Sequence, residues 1–200
     1  MGATRSGKLT TRYDFTPELA VRATVSNGFR APSLANSLFS ARSTTYGVVN
    51  GVYQSINYGV LPVDSAAAKA LGATALKPER STNYSLGLTY QPAPQLSFTA
   101  DAYVINVRDR ITLTGTLLGD EVTQALLDNG IDSTSGGRYF TNGASTRTKG
   151  LDLVGNFDQN LGNWGQLKWT AAFNWNQTQI LSYKENVTIQ GTDYSLMAVS

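Results

Sequence analysis

Apolar and polar residues alternate along several long stretches of the chain, which is typical of β-strands that have two different faces. In the clearest stretch, apolar residues at odd positions from Leu167 to Trp175 alternate with mainly polar residues up to Asn176. Five further runs follow the same period of two and begin near Lys8, Leu19, Asn83, Leu96 and Tyr139. The pattern therefore predicts an all-β fold built from about six long antiparallel strands.

The connections between these runs alternate strictly in length. Short links are predicted at 16–18, 91–95 and 158–166, and long ones at 31–80, 112–138 and from 181 onward. Ordinary domains rarely contain structureless connections beyond about 15 residues. A transmembrane β-barrel, in contrast, combines strands of about ten residues with short periplasmic turns and long extracellular loops. The alternation in length therefore favours a section of an antiparallel transmembrane β-barrel.

Two of the long loops contain helix signals. A short helix is predicted at Ala66–Leu71, where Asp64 or Ser65 can cap the first turn. A second helix is predicted at Glu121–Asp128, with Asp120 as its cap.

A soluble β-sandwich is the main alternative fold, because its strands also present one face to a core and the other to water. Sandwich strands are usually about five or six residues long, whereas the runs that begin at Leu19 and Leu167 cover about ten to twelve. The polar faces of the runs are rich in Thr, Ser, Asn and Gly and poor in Lys and Glu. Such faces fit a wet barrel lumen better than a protein exterior.

Composition excludes several kinds of chemistry. The 200 residues include no Cys and no His, so disulfides, the usual zinc ligand sets and a Ser-His-Asp triad cannot form. We therefore expect no catalytic residues, no metal site and no cofactor. The net charge is only +2 and the basic residues are scattered, which does not predict a nucleic-acid partner.

The chain has neither an apolar run long enough for a transmembrane helix nor the apolar core of a signal peptide. Single-chain bacterial barrels start at about eight strands. Six strands would leave two unpaired edges in a bilayer, where no water can hydrogen-bond to their backbone N–H and C=O groups. We therefore expect residues 1–200 to be a section of a larger barrel and, if exported, of a longer precursor.

Three stretches of sequence match recurring motifs. They are GFRAPSL at Gly28–Leu34, LKPERSTNYSLG at Leu76–Gly87, and Tyr139–Asp152, which contains FTN and TRTKGLD. These stretches resemble the GFRAPS, LKPE and FTN…TxTxG signatures of TonB-dependent outer-membrane receptors. Their order and spacing extend the resemblance across most of the chain.

The resemblance implies that residues 1–200 are a partial barrel domain from the C-terminal half of a receptor with roughly 22 strands, which a separate plug domain fills. The plug, the TonB-contacting segment and the final strands are absent from this sequence. Such receptors import scarce nutrients across the bacterial outer membrane, most often ferric siderophores, also cobalamin, haem or oligosaccharides. The implied partners are outer-membrane lipid, the TonB complex through the absent N-terminal part, and a ferric siderophore or other small nutrient.

Ligand capture in such a receptor is expected in the long loops. Candidate ligand contacts are Arg42, Tyr46, Tyr53 and Tyr58, because aromatic rings and a cation suit an anionic aromatic chelate. The same tyrosines could instead pack the loop on itself.

A second candidate feature is a group of charges near one rim of the wall. Arg30, Glu79 and Arg80 are expected to lie close together there. They could form a charge network or simply be solvated, since exposed ion pairs contribute little.

Three other functions stay open at this point. One is a porin-like or adhesive barrel without energy coupling, and another is a soluble carbohydrate-binding β-sandwich. An outer-membrane hydrolase is disfavoured, because the chain has no His base and no clearly placed pair of carboxylates. The leading interpretation is the passive wall and loops of an active importer, which needs no catalytic group.

Overall fold

Alternating strands form the frame of the structure, a computed structural model that describes residues 4–49, 51–131 and 136–196. In chain order the elements are β1 (Gly7–Asp14), β2 (Leu19–Arg30), α1 (Leu34–Leu38), β3 (Ala41–Val49), β4 (Val52–Val60), α2 (Ala66–Ala70), β5 (Glu79–Ala93), β6 (Leu96–Leu113), β7 (Leu117–Leu118), α3 (Asp120–Asp128), β8 (Gly136–Arg138), β9 (Phe140–Asn160), a 3₁₀ turn at Gly162–Trp164, β10 (Gln166–Tyr183), β11 (Asn186–Ile189) and β12 (Thr192–Ser195). All six predicted runs are present as β1, β2, β5, β6, β9 and β10. These strands form one sheet in that spatial order.

The chain divides into two compact units. The wall unit consists of Met1–Phe29, Arg80–Arg108 and Thr146–Leu181. The loop unit consists of Arg30–Glu79, Asp109–Ser145 and Ser182–Ser200. The loop unit therefore corresponds closely to the three long connections that the sequence predicts.

Several wall strands are longer than the apolar alternation predicts. Strand β10 has 18 residues and continues to Tyr183, past the predicted end at Asn176. Beyond Asn176 polar and apolar residues no longer alternate, since the apolar Ile180 and Leu181 fall on opposite faces, so the pattern stops although the strand does not. The hydroxyl groups of Thr148 and Thr178, 2.8 Å apart, still bond between β9 and β10 in this region.

One face of the wall is apolar and exposed; we call it the outward face. Register places Leu9 opposite Val25 and Tyr84 opposite Val104, so apolar residues of neighbouring strands adjoin each other on this face. Its exposed members include Leu9, Tyr13, Val25, Phe29, Tyr84, Leu86, Leu88, Tyr90, Phe98, Leu153, Phe157, Leu167, Trp169, Phe173 and Trp175. Monomeric soluble proteins rarely expose so large a continuous apolar surface, whereas lipid would cover it in a membrane barrel.

The opposite face of the wall, which we call the luminal face, is held by polar side chains. The guanidinium group of Arg22 on β2 donates to both carboxylate oxygens of Asp101 on β6, at 2.6 and 2.8 Å. Strand β5 lies between these two strands, with Gly87 opposite Asp101. A Cβ atom at position 87 would approach the Arg22 Nε to 2.5 Å. The missing side chain of Gly87 therefore gives the ion pair room to cross the middle strand.

The first long connection is more ordered than the sequence predicts. Residues 31–80 were expected to hold one helix, but they contain two helices and the β3–β4 hairpin. The extra helix, α1, begins with a capping box in which Ser33 and Asn36 bond each other's backbone N–H groups. Helix α2 lies close to its prediction, and its cap is Ser65, which accepts the Ala68 N–H at 3.1 Å.

The prediction that Asp120 caps the second helix was wrong. Helix α3 begins at Asp120 itself, and the cap position is Gly119, with φ +141°. A Cβ atom there would lie 2.7 Å from the Tyr194 hydroxyl, so glycine fits both the backbone angle and the space. Asp120 and Glu121 instead lie in the first turn, where their negative charges interact favourably with the positive end of the helix dipole. Of the helices in the described ranges, none is long and apolar enough to cross a membrane.

The two faces of β10 can be distinguished by neighbouring substitutions in this strand. Ala171 shares the outward face with Trp169, whereas Ala172 shares the luminal face with Asn174. Ala171→Arg should reduce the free energy of unfolding in lipid by about 2 to 4 kcal/mol, and Ala172→Arg by much less, because a luminal charge stays hydrated. Reversible urea unfolding from liposomes measures both values, and equal losses would contradict the assignment of the faces.

Candidate ligand-binding site

The loop unit is built on a small apolar core. Its buried members come from all three long connections and include Leu61, Val63, Ala67, Ala68, Leu71, Leu117, Val122, Ala125, Leu126, Tyr139, Ile189 and Leu196. Helices α2 and α3 contribute Ala67, Ala68, Val122, Ala125 and Leu126 to it. Since these segments are far apart in sequence, the connections fold together as one unit.

Tyr139 is the largest side chain that is fully buried in this core. Its hydroxyl donates to the Leu71 carbonyl oxygen at 3.0 Å, which joins the end of α2 to the start of β9. Its backbone N–H donates to the Thr114 hydroxyl at 3.2 Å. Burial raises the pKa of Tyr139 to about 12, because the phenolate would be poorly solvated there.

The β11–β12 hairpin is attached to α3 by a polar cluster. Glu121 accepts hydrogen bonds from the Tyr194 hydroxyl at 2.5 Å and from the Thr192 hydroxyl at 3.1 Å. The Tyr194 hydrogen bond is the main reason why the pKa of Glu121 is lowered. Burial, then the bond to Glu121, raises the pKa of Tyr194 to about 12. These residues were not predicted as a site, and they explain how the last connection is held in the loop unit.

The β3–β4 hairpin extends from a four-stranded sheet with the order β3-β4-β8-β7. Strand β4 pairs parallel with β8, with Gly59 opposite Gly137. Bare glycine is needed at position 137, because a Cβ atom would lie 2.6 Å from a methyl group of Leu71. The hairpin base is thereby packed closely onto the apolar core.

Tyr46 and Tyr53 form an exposed aromatic stack near the hairpin tip. Their ring centroids are 6.2 Å apart, and the ring planes differ by 18°. Both side chains are mostly exposed, at 67% and 71%. Register explains the contact, since Tyr53 lies opposite Val48 and is therefore diagonal to Tyr46 on the same face. Two of the four predicted ligand contacts are thus brought together.

The other two predicted contacts occupy different positions. Arg42 is exposed and has the same strand parity as Tyr46, so it lies on the stacked face nearer the base of the hairpin. Tyr58 has the opposite parity, together with the buried Ile56. It is only partly exposed. The structure therefore does not bring Tyr58 to the face that carries the other three residues.

The predicted charge group is only partly assembled. The Arg30 guanidinium donates to the Glu79 carboxylate at 3.0 Å. The same oxygen of Glu79 accepts the Ile111 backbone N–H at 2.8 Å. Glu79 is 8% exposed, so it serves chiefly as a buried acceptor for backbone. Arg80 belongs to the wall unit, where it lines a hollow with Arg5 and Arg108.

Metal-binding clusters were sought in the part of the chain that the structure describes. No group of three His, Cys, Asp or Glu side chains there is placed to hold a metal ion. The exposed face of the hairpin carries two aromatic rings, Tyr46 and Tyr53, and one cation, Arg42.

Long antiparallel strands with an exposed apolar face and a hydrogen-bonded polar face define the chain as part of a membrane β-barrel. The chain matches the family described as TonB dependent receptor-like, beta-barrel over residues 2–198, and it belongs to that family. These barrels reside in the bacterial outer membrane. The fold and location predicted from the sequence are thereby confirmed, and the soluble β-sandwich is excluded.

Solved structures of similar fold include two receptors and one transporter. One is a mutant of the ferric enterobactin receptor PfeA from Pseudomonas aeruginosa, with TM-score 0.54, 19% identity, and coverage of 88% of this chain and 22% of the receptor. Another is the siderophore receptor PirA from Acinetobacter baumannii, with TM-score 0.53, 14% identity, and coverage of 96% of this chain and 24% of the receptor. The third is the RagAB peptide transporter, with TM-score 0.50, 13% identity, and coverage of 90% of this chain and 18% of the transporter chain.

At these identities the likeness shows the fold alone. The chain spans 22% and 24% of the length of the two receptors. No curated protein sequence matches the chain.

The role of Glu79 can be separated from that of its ion pair in the full-length receptor. Glu79→Ala should reduce the free energy of unfolding by about 1 to 3 kcal/mol, because the Ile111 N–H loses its buried acceptor. Glu79→Gln keeps an acceptor oxygen and should cost less. Arg30→Gln should cost at most about 1 kcal/mol, since the Arg30 side chain is 66% exposed. Urea unfolding measures all three, and a larger loss for Arg30→Gln than for Glu79→Ala would refute this ranking.

The raised pKa of Tyr139 predicts that the loop unit loses stability at alkaline pH. Between about pH 10 and 12 the unfolded chain releases the Tyr139 proton while the folded state keeps it, so stability falls as pH rises, by about 3 kcal/mol in all. Tyr139→Phe should lower stability at pH 8 by about 1 kcal/mol, through the lost hydrogen bond, and should flatten the alkaline decline. Amide hydrogen exchange in α2 and α3, corrected for the intrinsic rate at each pH, measures this. Parallel pH profiles for the two proteins would show that Tyr139 is not responsible.

Proposed function

We propose that this chain forms barrel wall and extracellular loops of a TonB-dependent active importer whose ligand is a ferric siderophore. The observation that carries this proposal is the exposed Tyr46–Tyr53 stack on a hairpin whose base packs on the apolar core of the loop unit. Exposed aromatic rings offer a flat apolar surface, and an aromatic ligand that stacks on it removes that surface from water. Membership of a receptor family and the likeness to two siderophore receptors agree with this assignment.

Each residue of the hairpin has a distinct proposed role. Tyr46 and Tyr53 provide the aromatic surface on which the ligand lies. Arg42, exposed on the same face, supplies positive charge for an anionic chelate. Tyr58 packs on the other face of the hairpin and supports it without touching the ligand. No covalent chemistry is required, because the wall and loops only bind and release.

The site can be tested by a binding titration of the full-length receptor with ferric enterobactin as the probe. Tyr46→Ala/Tyr53→Ala should weaken Kd about tenfold, since each aromatic contact is worth about 0.5 to 1.5 kcal/mol. Tyr46→Phe/Tyr53→Phe keeps the rings and should retain most of the affinity. Val52→Ala, at the same tip but on the other face, is the matched control.

Three results would contradict parts of this proposal. Equal affinity of the wild type and the double alanine variant would remove the hairpin from the site. Absence of binding to the wild type would refute the assignment of this siderophore class. Uptake of the labelled chelate in cells that lack TonB would favour the porin-like alternative over energised import.

A further inference from the structure

The outward face of the wall carries charge of one sign only. Five basic side chains lie on this face or at its edge nearest the long connections: Arg5, Arg80, Arg108, Arg147 and Lys149. The strand positions of this face within the wall unit hold no Asp or Glu. Arg5, Arg80 and Arg108 lie at the end of the wall nearest the long connections, whereas Arg147 and Lys149 lie further along β9, Lys149 beside Tyr84 and Val104. The ends beside the short turns carry no basic residue on this face. A scattered solvated surface would not separate charge in this way.

Three of these arginines line one hollow in the wall unit. Arg5, Arg80 and Arg108 surround a volume of about 380 Å³, together with Asn27, Phe29 and Thr82. Arg80 lies directly opposite Arg108 in the β5–β6 register. Like charges at directly opposed positions destabilise an antiparallel pair.

No ion pair among the described wall residues offsets this repulsion. Within the described residues, neither Arg80 nor Arg108 has a carboxylate within ion-pair distance. The hydrogen bonds of Asn27, which joins the Gly7 N–H and the Arg5 carbonyl, hold the hollow's edge in place. The arrangement is therefore a preformed cationic site that needs an external anion.

The position of the hollow across the membrane indicates the source of that anion. Ten residues separate Arg80 from Tyr90, which adjoins a short turn. At about 2.5 Å of climb per residue this distance is about 25 Å, the height of the apolar band of a membrane barrel. Arg80 and Arg108 therefore lie where the outer-leaflet headgroups begin.

An apolar hollow adjoins the cationic one on the same face. It has a volume of about 480 Å³ and is lined by Val25, Tyr84, Leu86, Val104 and Trp175, with Lys149 at its edge. Tyr84 follows Thr82 of the cationic hollow at the next position of the same face. An anion that also has an acyl chain can fill both hollows, whereas free phosphate can fill only the first.

We propose that the outward face binds a phosphorylated lipid of the outer leaflet. Arg5, Arg80 and Arg108 hold the headgroup phosphate, for which guanidinium groups supply matched pairs of donors. The apolar hollow below them holds one acyl chain. This site faces lipid and is separate from the ligand-binding hairpin, so it does not depend on the proposed import function.

The test is lipid retention by the full-length receptor in an uncharged detergent, measured by native mass spectrometry. Bisphosphorylated lipid A is the probe, and dephosphorylated lipid A and inorganic phosphate are the comparisons. Arg80→Gln/Arg108→Gln should weaken retention of the probe about 30-fold, since each basic residue near an anionic lipid surface contributes about fivefold. Arg80→Lys/Arg108→Lys keeps the charge and should keep most of the retention.

The matched control is Arg12→Gln/Lys168→Gln, which removes the same charge from the luminal face near the short turns. Its retention of the probe should equal that of the wild type. Dephosphorylated lipid A should bind the wild type as weakly as the probe binds the glutamine variant. If the double variant does not fold, as judged by heat-modifiable mobility on gels, Arg108→Gln alone should show about a fivefold loss.

Thermal unfolding supplies a second readout, because the substitutions should affect the Tm in opposite directions without and with the lipid. In uncharged detergent without lipid, Arg80→Gln/Arg108→Gln should melt at the same temperature as the wild type or higher, because the repulsion is gone. Added probe should raise the Tm of the wild type more than that of the variant. Equal retention of the probe by the wild type and the glutamine variant would overturn the proposal. Displacement of the probe by an equal concentration of inorganic phosphate would show a site for soluble anions instead of a lipid site.

Discussion

The structure depends on one constraint, which is that a backbone in hydrocarbon must satisfy its N–H and C=O groups within the sheet. Long strands with a strict period of two meet it, since neighbouring strands bond through the backbone while their side chains separate onto two faces. Lipid then covers the apolar outward face, and polar side chains bond one another on the luminal face, as Arg22 and Asp101 do. The wall thus needs no buried core of its own.

The loop unit meets a different demand, because its irregular segments must bury apolar surface against one another to be ordered. It does so by combining three segments that are distant in sequence around Tyr139, Leu126 and Leu71. This core packs against the sheet that carries the hairpin, so the Tyr46–Tyr53 stack is attached to a folded support. A binding surface presented in this way loses little conformational entropy when a ligand arrives.

Much of the wall could be predicted from the sequence, because apolar alternation and backbone pairing share the same period. Strand β2 has the bounds that the alternation indicates, and β10 runs further where polar and apolar residues no longer alternate. The structure of the loop unit was harder to predict from the sequence, because its core joins distant residues that share no local pattern. The β3–β4 hairpin nevertheless has a local signal, Asn50-Gly51 between two valines, which favours a tight turn. Asn50 lies outside the described residues, and Gly51 has φ +78°.

The candidate site was predictable by residue type and less so by arrangement. Rings and a cation in one loop indicated Arg42, Tyr46 and Tyr53, but only strand register shows that Tyr58 lies on the other face. The charge group indicated Glu79 and its ion pair with Arg30, but its second partner is the Ile111 backbone N–H, which no charge pattern reveals.

Gly87 has a consequence for how this wall can change over evolutionary time. It lies under an ion pair whose two members come from the strands on either side, so three positions share one small space. A side chain gained at position 87 would displace the pair, and the loss of either Arg22 or Asp101 would leave the other without its partner. Tolerated replacements at these positions must therefore arise together, and the effect of each depends on which residues the other two already are.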